Sequence, residues 1–396
     1  MSPRMRILLV NDVAAPVGGA ETMTLGLREE LRRRGHDARM FASRALLDGA
    51  DNPAEYGCFG TTSSLRTLNR TVNLDAYRQL RRVLAAFRPD VVHVRMFMTQ
   101  LSPLILPLLR DLPSLYHAAW YETICPTGLK LLPDGSLCRQ KAGRVCRRCL
   151  SPQAWTVLML QRRLMERWFD AFDLFVANSE ALRRRLSESG IEPTVSVWNG
   201  VPRRPPRPPL KRPPVVAYAG RLSWEKGVEV LVHAFVGVTR HLPDARLLLV
   251  GDGPGRKGLE RLVALHGLES RVTMSGQLPT PVMERALERA WVQVVPSLLE
   301  EPFGLAAAEA MMRGTAVVAT NLGGLIEIVR HGDTGLLVPP NDPDALRSVL
   351  IDLLGDRDRA EAMGAAGRAW AYDRLSRERC VDRFVELYDW IGAAGR

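Results

Sequence analysis

Short apolar runs alternate with helix-length amphipathic stretches along nearly the whole of this chain, and that rhythm restricts its fold more than any other feature. Residues 7–10, 91–94, 115–117 and 174–177 read as strands in the first half; 215–219, 246–250, 272–275, 292–295 and 316–319 do so in the second. Between them lie helical patterns at 20–34 closed by Gly35, 75–87 closed by Pro89, 228–240, 305–313 closed by Gly314, and 345–354 closed by Gly355. Continuously apolar strands separated by helices require parallel sheets covered on both faces. The rhythm breaks at residues 203–214, where six prolines in twelve residues rule out helix and interior strand. That segment reads as a stiff, extended linker between two α/β domains.

A length of 396 residues fits two domains with full-sized cores, and 46% hydrophobic with 24% charged residues excludes wholesale disorder. The expected organisation is an N-terminal domain at 1–202, the linker at 203–214, a second domain at 215–375 and a closing helix at 376–396. The net charge of +11 invites a nucleic-acid reading, but it is unevenly placed. Residues 1–202 hold 28 Lys and Arg against 19 Asp and Glu; the linker adds five cations and no anion, whereas 213–396 hold 21 against 24. Two surfaces with different partners follow from that asymmetry. Lysine is scarce, since 49 of the 54 basic residues are arginine.

The N-terminal apolar run at 7–10 is too short for a signal-peptide core and no run has the length of a membrane span; the expectation is a cytoplasmic protein with reduced cysteines.

In doubly wound sheets ligands bind beyond the carboxyl ends of the strands, so the residues following each strand are the candidates. After the first strand, Gly18 and Gly19 open a helix whose amides suit an anionic group, although two glycines also simply make a turn. No G-x-G-x-x-G follows, so a dinucleotide fingerprint is not supported. After the strand at 215–219, Arg221 and Lys226 stand five residues apart across a turn, where both cations can converge on a diphosphate; solvated surface cations are the plainer alternative. The most specific segment is Glu301-Pro302-Phe303-Gly304-Leu305 running to Glu309. Pro302 keeps Glu301 out of the helix, and the amides of Phe303, Gly304 and Leu305 precede the helix's own hydrogen bonds. One carboxylate in a loop and one on a helix suit two grips on a long ligand better than a shared acid/base pair.

These segments resemble a known family. E-x7-E at 301–309, G-R-L-x-x-E-K-G at 220–227, G-x-G-P at 251–254, N-G-V at 199–201, G-G-x-x-E at 323–327 and G-G-A-E at 18–21 are similar to a retaining glycosyltransferase of family four. The resemblance covers nearly the whole chain and is strongest from 215 to about 345. It implies the GT-B fold, α/β with two Rossmann-like doubly wound domains facing across a cleft and a C-terminal helix crossing back to the first. It further implies that Arg221 and Lys226 bind the donor diphosphate without a metal ion and stabilise the leaving nucleoside diphosphate. Glu309 would bind ribose hydroxyls, Glu301 the transferred sugar, and the amides of Phe303, Gly304 and Leu305 its hydroxyls and a phosphate. Gly18 and Gly19 would close over the diphosphate, and Gly276 and Gln277 match the place of the nucleobase. His117 matches a histidine that often contacts the donor sugar, but Ala118 stands where the family has Asp or Asn; a structural histidine is the alternative. His93, within an apolar strand, reads as structural. The implied reaction moves a sugar from a UDP- or GDP-sugar to an acceptor hydroxyl of a glycan, lipid-linked or small molecule, by front-side attack and with no catalytic cofactor.

Cys125, Cys138, Cys146 and Cys149 lie within 25 residues, and the final C-x2-C can give two thiolates to one tetrahedral zinc; four independent thiols or a disulfide pair are the alternatives. Residues 155–175 mix tryptophans and leucines with Arg162, Arg163 and Arg167. Core packing is the commoner reason for such apolar residues, and peripheral contact with an anionic membrane is the functional one. Two rival functions frame the expectation. A nucleotide-sugar epimerase of the same architecture needs an acid/base pair in the first domain, where none is evident. A basic, zinc-containing nucleic-acid-binding protein leaves the phosphate-facing motifs of the acidic second half unexplained.

Overall fold

The computed structural model describes residues 4–16, 18–47, 52–63 and 66–394. They form two compact units, one of residues 1–200 with 377–396 and one of 201–376.

The first unit holds a parallel sheet of seven strands among the described residues: β1 (Arg6–Val13), β2 (Asp37–Ser43), β3 (Tyr56–Cys58), β4 (Val91–Val94), β5 (Ser114–Ala118), β6 (Leu174–Ala177) and β7 (Thr194–Ser196), in the order β3-β2-β1-β4-β5-β6-β7. Side chains alternate across the sheet as a period of two demands. Ile7 and Leu9 join Val91, Leu115, Val176 and the final helix Arg377–Ala394 through Val381, Phe384 and Tyr388. Leu8 and Val10 join Val92, Tyr116 and Phe175 under the helix Leu74–Phe87 on the other side. Both faces are thereby buried, the reason these strands are continuously apolar.

The second unit carries six parallel strands among the described residues: β8 (Val215–Ala219), β9 (Arg246–Val250), β10 (Val272–Gly276), β11 (Val292–Val295), β12 (Ala316–Thr320) and β13 (Leu336–Val338), ordered β10-β9-β8-β11-β12-β13. Its core is filled by Trp291, Phe235, Val216, Leu249 and Val318, with Leu350, Leu353 and Leu354 from the helix Pro343–Gly355.

Two segments differ from their sequence reading. Residues 203–214 have neither helix nor strand, yet they are packed against the second unit. Arg207 donates from Nε to the Gly314 carbonyl at 3.0 Å and from Nη2 to Glu361 at 2.9 Å, and Leu210 is part of the core. Residues 155–175 do not form one helix: a helix spans Pro152–Arg167, a single turn follows at Phe169–Ala171, and β6 begins at Leu174. The strand read at 174–177 is β6, next to the edge strand β7.

Candidate active site

In the second unit the strand order reverses beside β8, which lies between β9 and β11. The carboxyl ends of β8 and β11 are therefore where a doubly wound sheet offers its ligand site. β8 runs into Gly220 and Arg221, then into a turn, Trp224–Lys226, capped by Gly227. Gly227 has φ +66°, and a Cβ there would lie 1.9 Å from the Pro296 carbonyl oxygen just past β11. Only glycine lets these two chain segments touch backbone to backbone. The contact continues through the Leu298 amide, which donates to the Glu225 carbonyl at 2.9 Å.

That approach sets Lys226 against Glu301, with Nζ donating to Oε1 at 2.7 Å. Ser297 also donates to Glu301 Oε1. The Glu301 side chain is only 10% exposed and that of Lys226 29%. An ammonium has three N–H donors, so one bond to Glu301 leaves two for another anion. Arg221 is exposed and makes no ion pair among the described residues; its carbonyl accepts from Tyr218 Oη at 2.7 Å.

The loop bearing Glu301 is braced from behind. Gly324 donates its amide to the Glu301 carbonyl at 2.7 Å, and a Cβ on Gly323 would lie 2.4 Å from that same oxygen. Phe303 is buried, and Gly304 caps the helix Leu305–Arg313. The first bonds within this helix run from the amides of Ala307 and Ala308 to the Gly304 carbonyl, so the amides before them are not committed to the helix. Glu309 lies one turn in, where burial pushes its carboxyl up and Arg313 pulls it down. Arg313 itself is held by Glu284 at 3.0 Å and Gln293 at 2.6 Å. Gly276 ends β10 with φ +70° and its carbonyl accepts the Gly251 amide; Gln277 follows, exposed. The structure thus brings Lys226 together with Glu301, and puts Gly276 and Gln277 at the end of another strand of the same sheet, two strands from β8.

In the first unit Gly18 is the extended cap of the helix Gly19–Arg33, and a Cβ on it would lie 2.9 Å from Glu21 Oε2. His117 is only 1% exposed. The alternation along β5 turns it and Leu115 toward the final helix, where Phe384 lies against both His93 and His117. A buried polar chain runs from Tyr388 Oη to His93 (2.6 Å), His117 (3.2 Å), Arg95 (3.3 Å) and Asn199 (3.4 Å). Burial and the Arg95 charge hold both histidines well below the ordinary range, and burial brings Arg95 down to about 10. Among the described residues Nε2 of His117 has no hydrogen-bond partner, which leaves that ring atom for a ligand. Arg95 and Ser297 were not singled out in the sequence; a charged residue directly continuing the apolar strand at 91–94 is the signal that marks Arg95.

The four clustered cysteines are gathered by a short hairpin, bridged at Leu131 and Leu137, and a turn at Arg144–Arg148. All are free thiols. Burial and the proximity of Cys125 and Cys138 raise Cys146, and Cys149 is raised by burial and the other three. The Gly143 amide donates to Cys146 Sγ at 3.5 Å. Among the described residues no three His, Cys, Asp or Glu side chains are arranged ready to hold a metal ion.

Comparison with known proteins agrees with this architecture. Residues 18–200 match the family model of the glycosyl transferase 4-like domain, and residues 203–370 that of the glycosyl transferases group 1. The chain belongs to this glycosyltransferase family. It is 40% identical over 173 residues to D-inositol 3-phosphate glycosyltransferase of Nocardia farcinica, covering 40% of this chain and 38% of that protein. It is 31% identical over 236 residues to GDP-mannose-dependent alpha-(1-6)-phosphatidylinositol monomannoside mannosyltransferase of Mycobacterium tuberculosis, covering 54% and 61%. The chain spans about half the length of the curated relatives it matches. Among solved structures, sucrose-phosphate synthase from Thermosynechococcus elongatus superposes with a TM-score of 0.76 at 25% identity, covering 99% of this chain and all of that one. An Anabaena protein, HepE, in complex with UDP and glucose gives 0.68 at 22% identity, over 98% and 100%.

Proposed function

We propose that this protein is a retaining glycosyltransferase that carries a sugar from a UDP- or GDP-sugar to an acceptor hydroxyl in polysaccharide, glycolipid or other glycoconjugate synthesis. The observation that carries the reading is the Lys226–Glu301 pair at the carboxyl ends of β8 and β11, with uncommitted helix amides beside it. In this reading Arg221 and Lys226 hold the diphosphate and meet the charge that develops on it as it leaves, so no metal is needed for that step. Glu301 and the amides of Phe303, Gly304 and Leu305 hold the transferred sugar and a phosphate. Glu309 takes the ribose hydroxyls, and Gly276 with Gln277 borders the base. The atom of His117 open to a ligand is Nε2. The acceptor oxygen bonds to the anomeric carbon on the face from which the diphosphate departs with the bonding electron pair. The acceptor proton passes to that phosphate.

The helix Pro152–Arg167 supports peripheral binding to an anionic membrane, which suits a lipid-linked acceptor. It buries Gln161 and Met165 but leaves Leu160 51% exposed beside exposed Arg163 and Arg167. Between residues 139 and 167, Lys and Arg outnumber Asp and Glu eight to one. No helix among the described residues is long and apolar enough to cross a membrane.

The test is hydrolysis of UDP- and GDP-sugars, with the released anomer followed by NMR. Retention is expected, with kcat falling roughly 10²–10³-fold in Lys226→Ala, the usual effect of losing one donor to developing charge. An inverted product, or a Lys226→Ala rate equal to wild type, would refute the assignment.

A further inference from the structure

The first unit contains a cavity of about 190 Å³ that the donor residues do not touch, lined by Arg70, Trp120, Glu122, Gln161 and Arg162, with Leu158 and Gly128 among its apolar edges. At roughly 30 Å³ per water, this is room for about six waters or one six-membered polyol ring. Its walls are held in place by buried bonds. Gln161 is fully buried and donates from Nε2 to the carbonyls of Arg70 (2.7 Å) and Met98 (2.6 Å), and its Oε1 has no partner among the described residues. Arg162 donates to the Thr123 carbonyl at 2.6 Å and pairs with Glu166. Asp12, at the end of β1, fixes the neighbouring loop by accepting from the amides of Thr99, Gln100 and Leu101. Gly128, with φ +73°, has no side chain to strike the Trp120 ring, which a Cβ would approach to 2.6 Å.

We propose that this cavity is the recognition pocket for the terminal sugar or cyclitol ring of the acceptor, with the Trp120 indole as its apolar platform and Glu122, Gln161 and Arg162 as its hydroxyl partners. The assignment rests on the glycosyltransferase reading and adds to it the class of acceptor and the residues that select it. An aromatic face beside an amide, a carboxyl and a guanidinium is the chemistry that matches a polyol, which has an apolar C–H face and a rim of hydroxyls. An unmatched buried acceptor such as Gln161 Oε1 is costly until a donor reaches it, and a sugar hydroxyl is such a donor. Glu122 fits an uncharged ligand. Burial and the neighbouring Asp12 push its carboxyl up to about 8, so at neutral pH it is an acid that both donates and accepts. Tyr116 Oη holds one of its oxygens at 3.2 Å.

The experiment is saturation-transfer NMR on the full chain with four probes at millimolar concentration: glucose, mannose, N-acetylglucosamine and myo-inositol. At least one probe should show transfer in wild type and in Lys226→Ala. Its signal should fall at least fivefold in Leu158→Trp, which fills the cavity, and in Glu122→Leu, which keeps the bulk but removes both hydrogen-bonding oxygens. Silence from all four probes, a signal unmoved by both cavity variants, or one abolished by Lys226→Ala would overturn the proposal. Stabilisation by UDP and GDP is read on the same samples. A sugar signal without nucleotide stabilisation refutes the glycosyltransferase reading, whereas stabilisation with no sugar signal refutes the pocket alone.

Discussion

Replacing Gly227 with alanine tests the central geometric claim, that the turn carrying Lys226 is pressed against the end of β11. The backbone there has φ +66°, which costs an L-residue roughly 1–2 kcal/mol. The added methyl would also start 1.9 Å from the Pro296 carbonyl oxygen, so turn and strand end must part by more than an ångström. Overpacking of this kind costs roughly 1–3 kcal/mol more. The total of about 2–5 kcal/mol converts to a loss of roughly 4–20 °C in melting temperature for a domain of this size. Gly267 is the matched control: its φ is +62°, but its Cβ would meet nothing within 4 Å. Gly267→Ala should cost only the conformational part, about 1–2 kcal/mol, or roughly 2–8 °C. Calorimetric unfolding of both variants separates the steric cost from the conformational one. Stabilisation by UDP or GDP should be lost in Gly227→Ala and kept in Gly267→Ala. Equal melting temperatures for the two variants would refute the packing argument.

Three further outcomes are expected. Because the folded Glu122 carboxyl titrates near 8, above its ordinary range, the folded state binds the extra proton and stability falls as pH rises through that interval. The melting temperature of Glu122→Gln relative to wild type should therefore rise from pH 5 to 8 and level off above about 9; a pH-independent difference contradicts the burial of that group. Tag-free protein should contain about one equivalent of zinc if Cys125, Cys138, Cys146 and Cys149 close around a tetrahedral ion, and less than a tenth of an equivalent rules the metal out. Flotation with anionic vesicles at physiological salt should carry wild type, and Leu160→Glu with Arg163→Glu should abolish it; equal flotation of the two would remove that helix as the membrane contact.

Interior strands were legible in the sequence because burial on both faces leaves an uninterrupted apolar run, as at 91–94 and 316–319. The edge strands β3 and β7 have three residues each and are broken by Gly57 and by Thr194 and Ser196, while β13, though apolar, is only the three residues Leu336–Val338. β2 escaped because Asp37, Arg39 and Ser43 interrupt it; Arg39 is held by Asp37 and by Tyr56 of the neighbouring strand. At the candidate site, the Glu301-Pro302 pair was readable because the proline restricts the residue before it. The bond between Lys226 and Glu301 was not, since it joins residues 75 apart through a contact between strand ends. The depth of His117 was hidden for a similar reason. Its burial comes from Phe384 in the final helix, far along the chain.

The most direct measurement is titration calorimetry of UDP and GDP against wild type, Lys226→Ala and Glu301→Ala. The account predicts that at least one nucleotide binds to wild type with one-to-one stoichiometry and that Lys226→Ala weakens it at least tenfold. Glu301→Ala, whose carboxylate is assigned to the sugar, should weaken the bare nucleotide far less. No binding of either nucleotide, or binding indifferent to Lys226, would contradict it.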